Sequence, residues 1–316
     1  MDPTLLPDRA AVADAAARIA GDVRATPLMK LPGASLGLPP GVELWLKLEQ
    51  LQRGGSFKAR GMFNRLRANA VPPAGVVIAS GGNAGIAAAT AAQALGVRCE
   101  VFVPELTSEA KRAALRARDA QLVVGGAAYA EALAASLARQ RETGALLLHA
   151  YDQPEVVAGA GTLAAEVEAQ AGLPGRVLVS VGGGGLLGGL LAQWGGRCAI
   201  EALEPVGSPT LHAALAAGEP VDVAVGGLAA DALGARRIGA IAWGLVQRHG
   251  VASHLVPESA IAAAQRALWH ELRLAVEPAA ALPLAALQAG LVRPTAGERV
   301  LLVVCGANVD PATVAG

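Results

Sequence analysis

Paired cysteines, blocks of like charge and lysines are what this 316-residue chain has little of. Its three cysteines, Cys99, Cys198 and Cys305, are scattered, odd in number and form no CxxC pair. That excludes a disulfide framework and makes a reducing, cytoplasmic setting the expectation. Charged residues make up 16% of the chain and cancel to a formal net charge of +0, with no basic or acidic run. Nucleic acid and anionic membranes are bound through such runs, so neither is an expected partner. The N-terminal stretch carries acidic residues and lacks the apolar centre of a signal peptide. Residues 177–196 are uncharged over a membrane-spanning length, but eight of them are glycine. Such a run reads as strand, loop, helix and turn inside a core, and no membrane span is expected. Four lysines, Lys30, Lys47, Lys58 and Lys111, stand beside 22 arginines, which leaves few candidates for amine chemistry. The chain is 53% hydrophobic, ample for a large core, and a small molecule is the expected ligand.

Short β-branched runs alternate with alanine-rich helical stretches. Strands are expected at 44–48, 76–80, 99–103, 122–124, 146–149, 177–181, 199–204 and 300–305. Helices follow most of them, at 85–95, 108–118, 128–141 and 155–171. Continuous apolar strands separated by helices argue for parallel sheets covered on both faces, hence an α/β class with doubly wound layers. In such sheets ligands sit outside the C-terminal strand ends, where loops meet helix N-termini. Two segments have that form. The first holds Ser80, Gly81, Gly82, Asn83 and Ala84, and the second holds Gly182, Gly183, Gly184 and Gly185.

Four consecutive glycines let backbone N–H groups converge, and a helix N-terminus adds partial positive charge, so the second turn suits a phosphate. The same stretch also reads as a dinucleotide fingerprint, with Gly183, Gly185 and Gly188 as GxGxxG and Glu201 or Glu204 as a ribose-binding acid. Glycines also permit close helix–strand packing without any ligand. The first turn, with a hydroxyl, free N–H groups and an amide, suits a carboxylate, or is an ordinary helix cap. Lys58 follows a Gly54-Gly55-Ser56 turn, in the first turn of a helix expected over 57–70. The helix dipole, desolvation and nearby positive charge would each favour a neutral amine there, able to attack an aldehyde. A solvated surface lysine is the plainer alternative.

Together these strings resemble the serine/threonine dehydratase family, pyridoxal phosphate (PLP) enzymes of the second fold type, like tryptophan synthase β. Gly55-Ser56-Phe57-Lys58-Ala59-Arg60-Gly61 resembles its PLP-attachment motif, and the Ser80–Gly85 string its substrate-carboxylate loop. Gly182–Gly185 resembles its phosphate loop, and Cys305-Gly306-Ala307-Asn308 the segment whose first residue meets the pyridine nitrogen. His149 to Thr162 and the opening Thr26-Pro27-Leu28 are similar too. The resemblance runs through nearly the whole chain, in order, and outweighs the dinucleotide reading, which accounts for Gly183–Gly188 alone. It implies that Lys58 holds PLP covalently and moves protons, that Phe57 packs near the ring, and that Asn83 bonds the ring hydroxyl. It implies further that Ser80 to Ala84 cradle the substrate carboxylate, that Tyr151 lines the pocket, and that the protein is a homodimer. The implied reaction is β-elimination from an L-β-hydroxy amino acid such as serine or threonine, giving a 2-oxo acid and ammonia. The implied architecture is a large PLP-binding domain, 1–70 plus 146–316, and a small inserted domain, 71–145, carrying the carboxylate loop.

Three departures bear on specificity. Racemases of the family carry a serine where Gly81 stands, so a lyase is expected here rather than a racemase. Glu204, Ser208 and Thr210 resemble the family's cation site, but divalent versions place an aspartate at Thr210. One carboxylate with neutral oxygens suits K+ better than Mg2+. Ala150 and Ala160 replace the residues usual in the His149 segment, which opens the way to a bulkier substrate such as phenylserine or 3-hydroxyaspartate.

Overall fold

The computed structural model describes residues 6–315. Helix α1 (Arg9–Ile19) is followed by strands β1 (Leu28–Pro32) and β2 (Glu43–Leu48), then helix α2 (Lys58–Ala68). The middle of the chain reads β3 (Val76–Ala79), α3 (Asn83–Ala94), β4 (Cys99–Val103), α4 (Glu109–Arg116), β5 (Gln121–Val124), α5 (Tyr129–Thr143) and β6 (Leu146–Leu147). After α6 (Pro154–Ala171) come β7 (Arg176–Ser180), α7 (Gly185–Trp194), β8 (Ala199–Pro205), α8 (Thr210–Ala217), α9 (Ala240–His249) and β9 (Ala252–Val256). The chain ends with α10 (Glu258–Leu272), α11 (Pro278–Gln288), β10 (Arg299–Val304) and α12 (Ala312–Ala315).

Two sheets result. One is six-stranded, in the order β1-β2-β10-β7-β8-β9, and the other is four-stranded, β5-β4-β3-β6. Every pairing is parallel except β1 with β2. The expected α/β class therefore stands. The two unforeseen strands, β1 and β9, are the edges of the large sheet. Their sequences, LMKLP and ASHLV, are only half-buried and so lack the continuous apolar signature of inner strands. By contrast Val177, Leu178 and Val179 of β7 are wholly buried, as an inner parallel strand requires.

Strand β6 pairs with Val76 and Val77 of β3, so the smaller layer runs past the boundary expected after Ala145. Helix α2 belongs to neither layer alone. Ala59, Met62, Phe63 and Leu66 pack with β3, β4 and α3, while α2 also lies against α6. The large sheet inserts β10 between β2 and β7, with Val300 opposite both Leu44 and Arg176. The segments that follow three adjacent parallel strands thus share one end of the sheet. They begin at Glu49, Cys305 and Val181, and they carry the lysine, the cysteine and the glycine loop.

Candidate active site

A cleft opens at that end, facing the β3–α3 turn of the smaller sheet. Phe57, Lys58, Asn83, Gly182, Gly183, Gly184, Gly185 and Cys305 line it together. A roomier hollow beside Leu38 and Leu287 has Arg293 as its one charged group and holds none of these residues. Of the other expected residues, Ser80 accepts the Gly82 N–H at 3.3 Å, and Gly81, Gly82 and Ala84 continue the same turn just outside the cleft wall. Tyr151 sits behind the glycine loop, edge-on to His149 with ring centroids 4.6 Å apart.

The Lys58 ammonium position is set by local chain geometry. Gly54 and Gly55 take φ of +70° and +77°, turning the chain out of β2 into α2. The Phe57 N–H then donates to Cys305 O at 3.0 Å, tying the start of α2 to the end of β10. Lys58 Nζ donates to Ala150 O at 2.7 Å and lies 5.0 Å from the Phe57 ring centre. Burial pulls this lysine down to about 8, while Cys305 and Glu277 pull the other way. The balance thus moves toward the neutral amine, and by desolvation alone. The charged neighbours are acidic, not the positive groups anticipated.

Residues 182–185 form a cup whose N–H groups find no acceptor among the described residues. The carbonyls are anchored behind it: Gly182 O accepts from Thr210 Oγ1 and Gly183 O from the Gly239 N–H. A side chain is impossible at Gly183, where a Cβ would stand 2.3 Å from the Tyr151 ring. At Gly184, φ is +85° and a Cβ would meet Ala242 at 2.5 Å. Packing therefore requires these glycines as firmly as a ligand would. The free N–H groups at a helix N-terminus are the separate observation that fits a phosphate dianion. The dinucleotide alternative loses its acid. Glu201 is bonded to Arg176 and His254, and Glu204 is fully buried.

Glu277 is the residue that the sequence reading missed. It is buried at the cleft floor, where both its oxygens accept from Asn83 Nδ2, at 2.8 and 2.9 Å. Asn83 Oδ1 in turn accepts from Asn308 Nδ2 at 2.6 Å. Cys305 Sγ lies 4.0 Å from Glu277 Oε1. Burial pushes Glu277 above the usual carboxylate range, and burial with Glu277 holds the Cys305 thiol well above its own, so the thiol is neutral. The one sequence cue to Glu277 was a Glu-Pro pair opening an apolar helix, a helix-start signal that says nothing about chemistry. Ser180, Leu186, Ala232, Leu233 and Ala279 complete the wall and were equally unmarked.

The expected cation ligands are placed differently from an open site. Glu204, Ser208 and Thr210 are all fully buried. Glu204 Oε1 accepts from the Leu211 N–H at 2.7 Å and lies 3.1 Å from Thr210 Oγ1. Its Oε2 accepts from the His212 N–H at 2.8 Å and Ser253 Oγ at 3.2 Å. Ser208 Oγ bonds Gly226 O, and Ser208 O accepts the Thr210 N–H. Each carboxylate oxygen has two polar partners already, so this donor set does not fit a cation. Among the described residues, no group of three or more His, Cys, Asp or Glu is placed to hold a metal.

Residues 19–306 match the family described as pyridoxal-phosphate dependent enzyme. A phenylserine dehydratase from Ralstonia pickettii is 35% identical, the alignment covering 100% of this chain and 97% of that protein. An L-threonine ammonia-lyase from Geobacter sulfurreducens is 36% identical over 87% of this chain and 69% of its own length. Among solved structures, a threonine deaminase from T.th. superposes with a TM-score of 0.89 at 34% identity, covering 96% of this chain and 99% of that one. Maize serine racemase superposes with a TM-score of 0.90 at 28% identity, over 98% and 96%.

Proposed function

This chain belongs to the pyridoxal-phosphate dependent enzyme family, and from that premise we propose that it eliminates water and ammonia from an L-β-hydroxy amino acid. The observation that carries the reading is convergence. A half-buried lysine with lowered proton affinity, a cup of free N–H groups and a second helix N-terminus meet in one cleft. The residues fit PLP. Lys58 would hold it covalently, the Gly183, Gly184 and Gly185 N–H groups would bind its phosphate, and Asn83 and Cys305 would meet its ring. Bound there, PLP supplies an electron sink that acidifies the substrate Cα–H.

The chain's own groups do the rest. The Lys58 amine, neutral for a large part of the time near pH 8, accepts the Cα proton and delivers one to the departing β-hydroxyl. Ala150 O, 2.7 Å from Nζ, holds the amine in the cleft through both tasks. The unpaired N–H groups opening α3 bind the substrate carboxylate. Leu233 and Ala232, on the cleft wall, help to exclude water. Cys305, a neutral thiol, neither protonates the ring nitrogen firmly nor draws charge onto it, which favours prompt elimination over transamination. At Gly81 no side chain is available as a second acid or base, so the reading is a lyase and not a racemase.

The test is release of 2-oxo acid and ammonia from L- and D-serine, threonine, 3-hydroxyaspartate and phenylserine, with PLP present. Release that vanishes in Lys58→Ala supports the proposal and names the side chain. No release from PLP-loaded protein, or substantial racemisation of recovered substrate, would overturn it. Homodimeric assembly, which rests on the family resemblance, and a cytoplasmic setting, which rests on the scattered cysteines, belong to the same proposal. Sedimentation as a monomer at micromolar concentration would remove the first. Among the described residues, no helix is long and apolar enough to cross a membrane.

A further inference from the structure

Behind the glycine cup runs a chain of buried hydrogen bonds that ends on one side chain. We infer that Thr210, braced by Glu204, positions the phosphate cup, and that this link replaces a cation rather than binding one. The inference rests on the PLP reading above and concerns how the phosphate is held.

The geometry follows from the planarity of the peptide unit. The C=O of one residue and the N–H of the next point in opposite directions across a trans peptide. Thr210 Oγ1 donates to Gly182 O at 2.5 Å, so the Gly183 N–H is aimed the other way, into the cleft. Gly183 O, held by the Gly239 N–H at 3.0 Å, aims the Gly184 N–H in the same manner. The second anchor is backbone and would survive most substitutions. The first depends on one hydroxyl.

That hydroxyl is itself fixed. Thr210 is the first residue of α8 and is fully buried, as is Glu204 at the end of β8. Glu204 caps α8 through the Leu211 and His212 N–H groups and is steadied from β9 by Ser253 Oγ. The single Thr210 proton is shared between Gly182 O at 2.5 Å and Glu204 Oε1 at 3.1 Å, the shorter bond dominating. Strand, helix cap and glycine loop are thereby joined with no open coordination position. A K+ ion would have to break at least one of these buried bonds to reach Glu204.

The test compares PLP with pyridoxal, which lacks the phosphate, by titrating apoprotein and following the cofactor absorbance. In Thr210→Val, PLP affinity should fall roughly ten- to a hundredfold while pyridoxal affinity holds, and Thr210→Ser should restore PLP binding. Replacing K+ by choline, with EDTA present, should leave wild-type PLP affinity within about twofold. Equal losses for PLP and pyridoxal would mean general loosening and overturn the inference. So would unchanged PLP affinity in Thr210→Val, or a drop of about tenfold or more in the wild type without K+. Wild-type apoprotein that takes up no PLP would overturn the cofactor reading itself.

Discussion

Lys58 and Arg60 leave the same turn of α2; burial lowers the proton affinity of both, yet the two end on opposite sides of their ordinary values. Arg60 forks onto Glu49, with Nε 2.8 Å from Oε2 and Nη2 2.7 Å from Oε1, and its Nη2 also reaches Glu166 at 2.9 Å. Lys47 donates to Glu166, Gln170 and Thr26 O in the same cluster. Burial pulls Arg60 down, but Glu49 and Glu166 together outweigh it, and the guanidinium is held firmly charged. Among the described residues, only a carbonyl oxygen lies within hydrogen-bonding reach of Lys58 Nζ. Its acidic neighbours, Cys305 and Glu277, do not bond it, so desolvation wins and the amine drops to about 8. The difference teaches that burial alone does not make a reactive amine. The Arg60 guanidinium, forked onto two carboxylates, stays charged, whereas burial lowers the amine both at Lys47, which bonds Glu166, and at Lys58, which bonds no carboxylate.

That contrast can be broken at either end. The largest effect is expected from Lys58→Ala. Elimination should fall by more than about 10⁴-fold, since the covalent anchor and the proton carrier go together. Thermal stability should be unchanged or higher, because no paired charge is lost, and a stopped assay for 2-oxo acid beside a melting curve reads both. Arg60→Met should act mainly on stability. It strands Glu49 as an unpaired buried carboxylate, at a cost of about 3–5 kcal/mol in denaturant unfolding. If Arg60→Met melts like the wild type, the network is ornamental and the comparison fails.

Capture of a small aldehyde by apoprotein, trapped with cyanoborohydride, should slow about tenfold for each pH unit below about 8 and level off above it. The sign follows from a depressed lysine. The folded state prefers the neutral amine, so Lys58 also costs apoprotein stability as pH falls from the ordinary lysine value toward about 8. A midpoint near the ordinary lysine value would refute the reading of Lys58. The smallest effect is expected from Glu277→Gln. Glu277 raises the Lys58 value, so its neutralisation should shift the capture midpoint downward, while Asn83 keeps an oxygen acceptor. An upward shift would mean that Glu277 does not face Lys58 as an anion.

The parts of the site that were legible share a local signature. Lys58, Asn83 and the four glycines each sit at a strand-to-helix turn, where small residues and free N–H groups mark the sequence. Inner strands β2, β3, β4, β7, β8 and β10 were legible because burial on both faces favours largely apolar runs, even where a Glu or Lys interrupts them. Edge strands β1 and β9, half-exposed, carry no such demand. Glu277 was hidden because an acid before a helix proline is ordinary. Its meaning comes from Asn83, 194 positions away. Glu204 and Thr210 were legible as a pair but not as to purpose, since spacing cannot say whether a carboxylate's oxygens are already occupied.

By itself the sequence determined the α/β class, the order of the inner strands and their turns, and which residue types could serve an aldehyde, a phosphate and a carboxylate. These follow from local rules of periodicity, backbone freedom and helix dipoles. Tertiary structure alone decided that β10 enters between β2 and β7, bringing Cys305 beside Lys58 and the glycine loop. It also decided which buried charges meet carboxylates and which lysine faces the cleft. Proton affinity depends on the distance to groups far along the chain and on how much water they leave, and neither is written in any single segment.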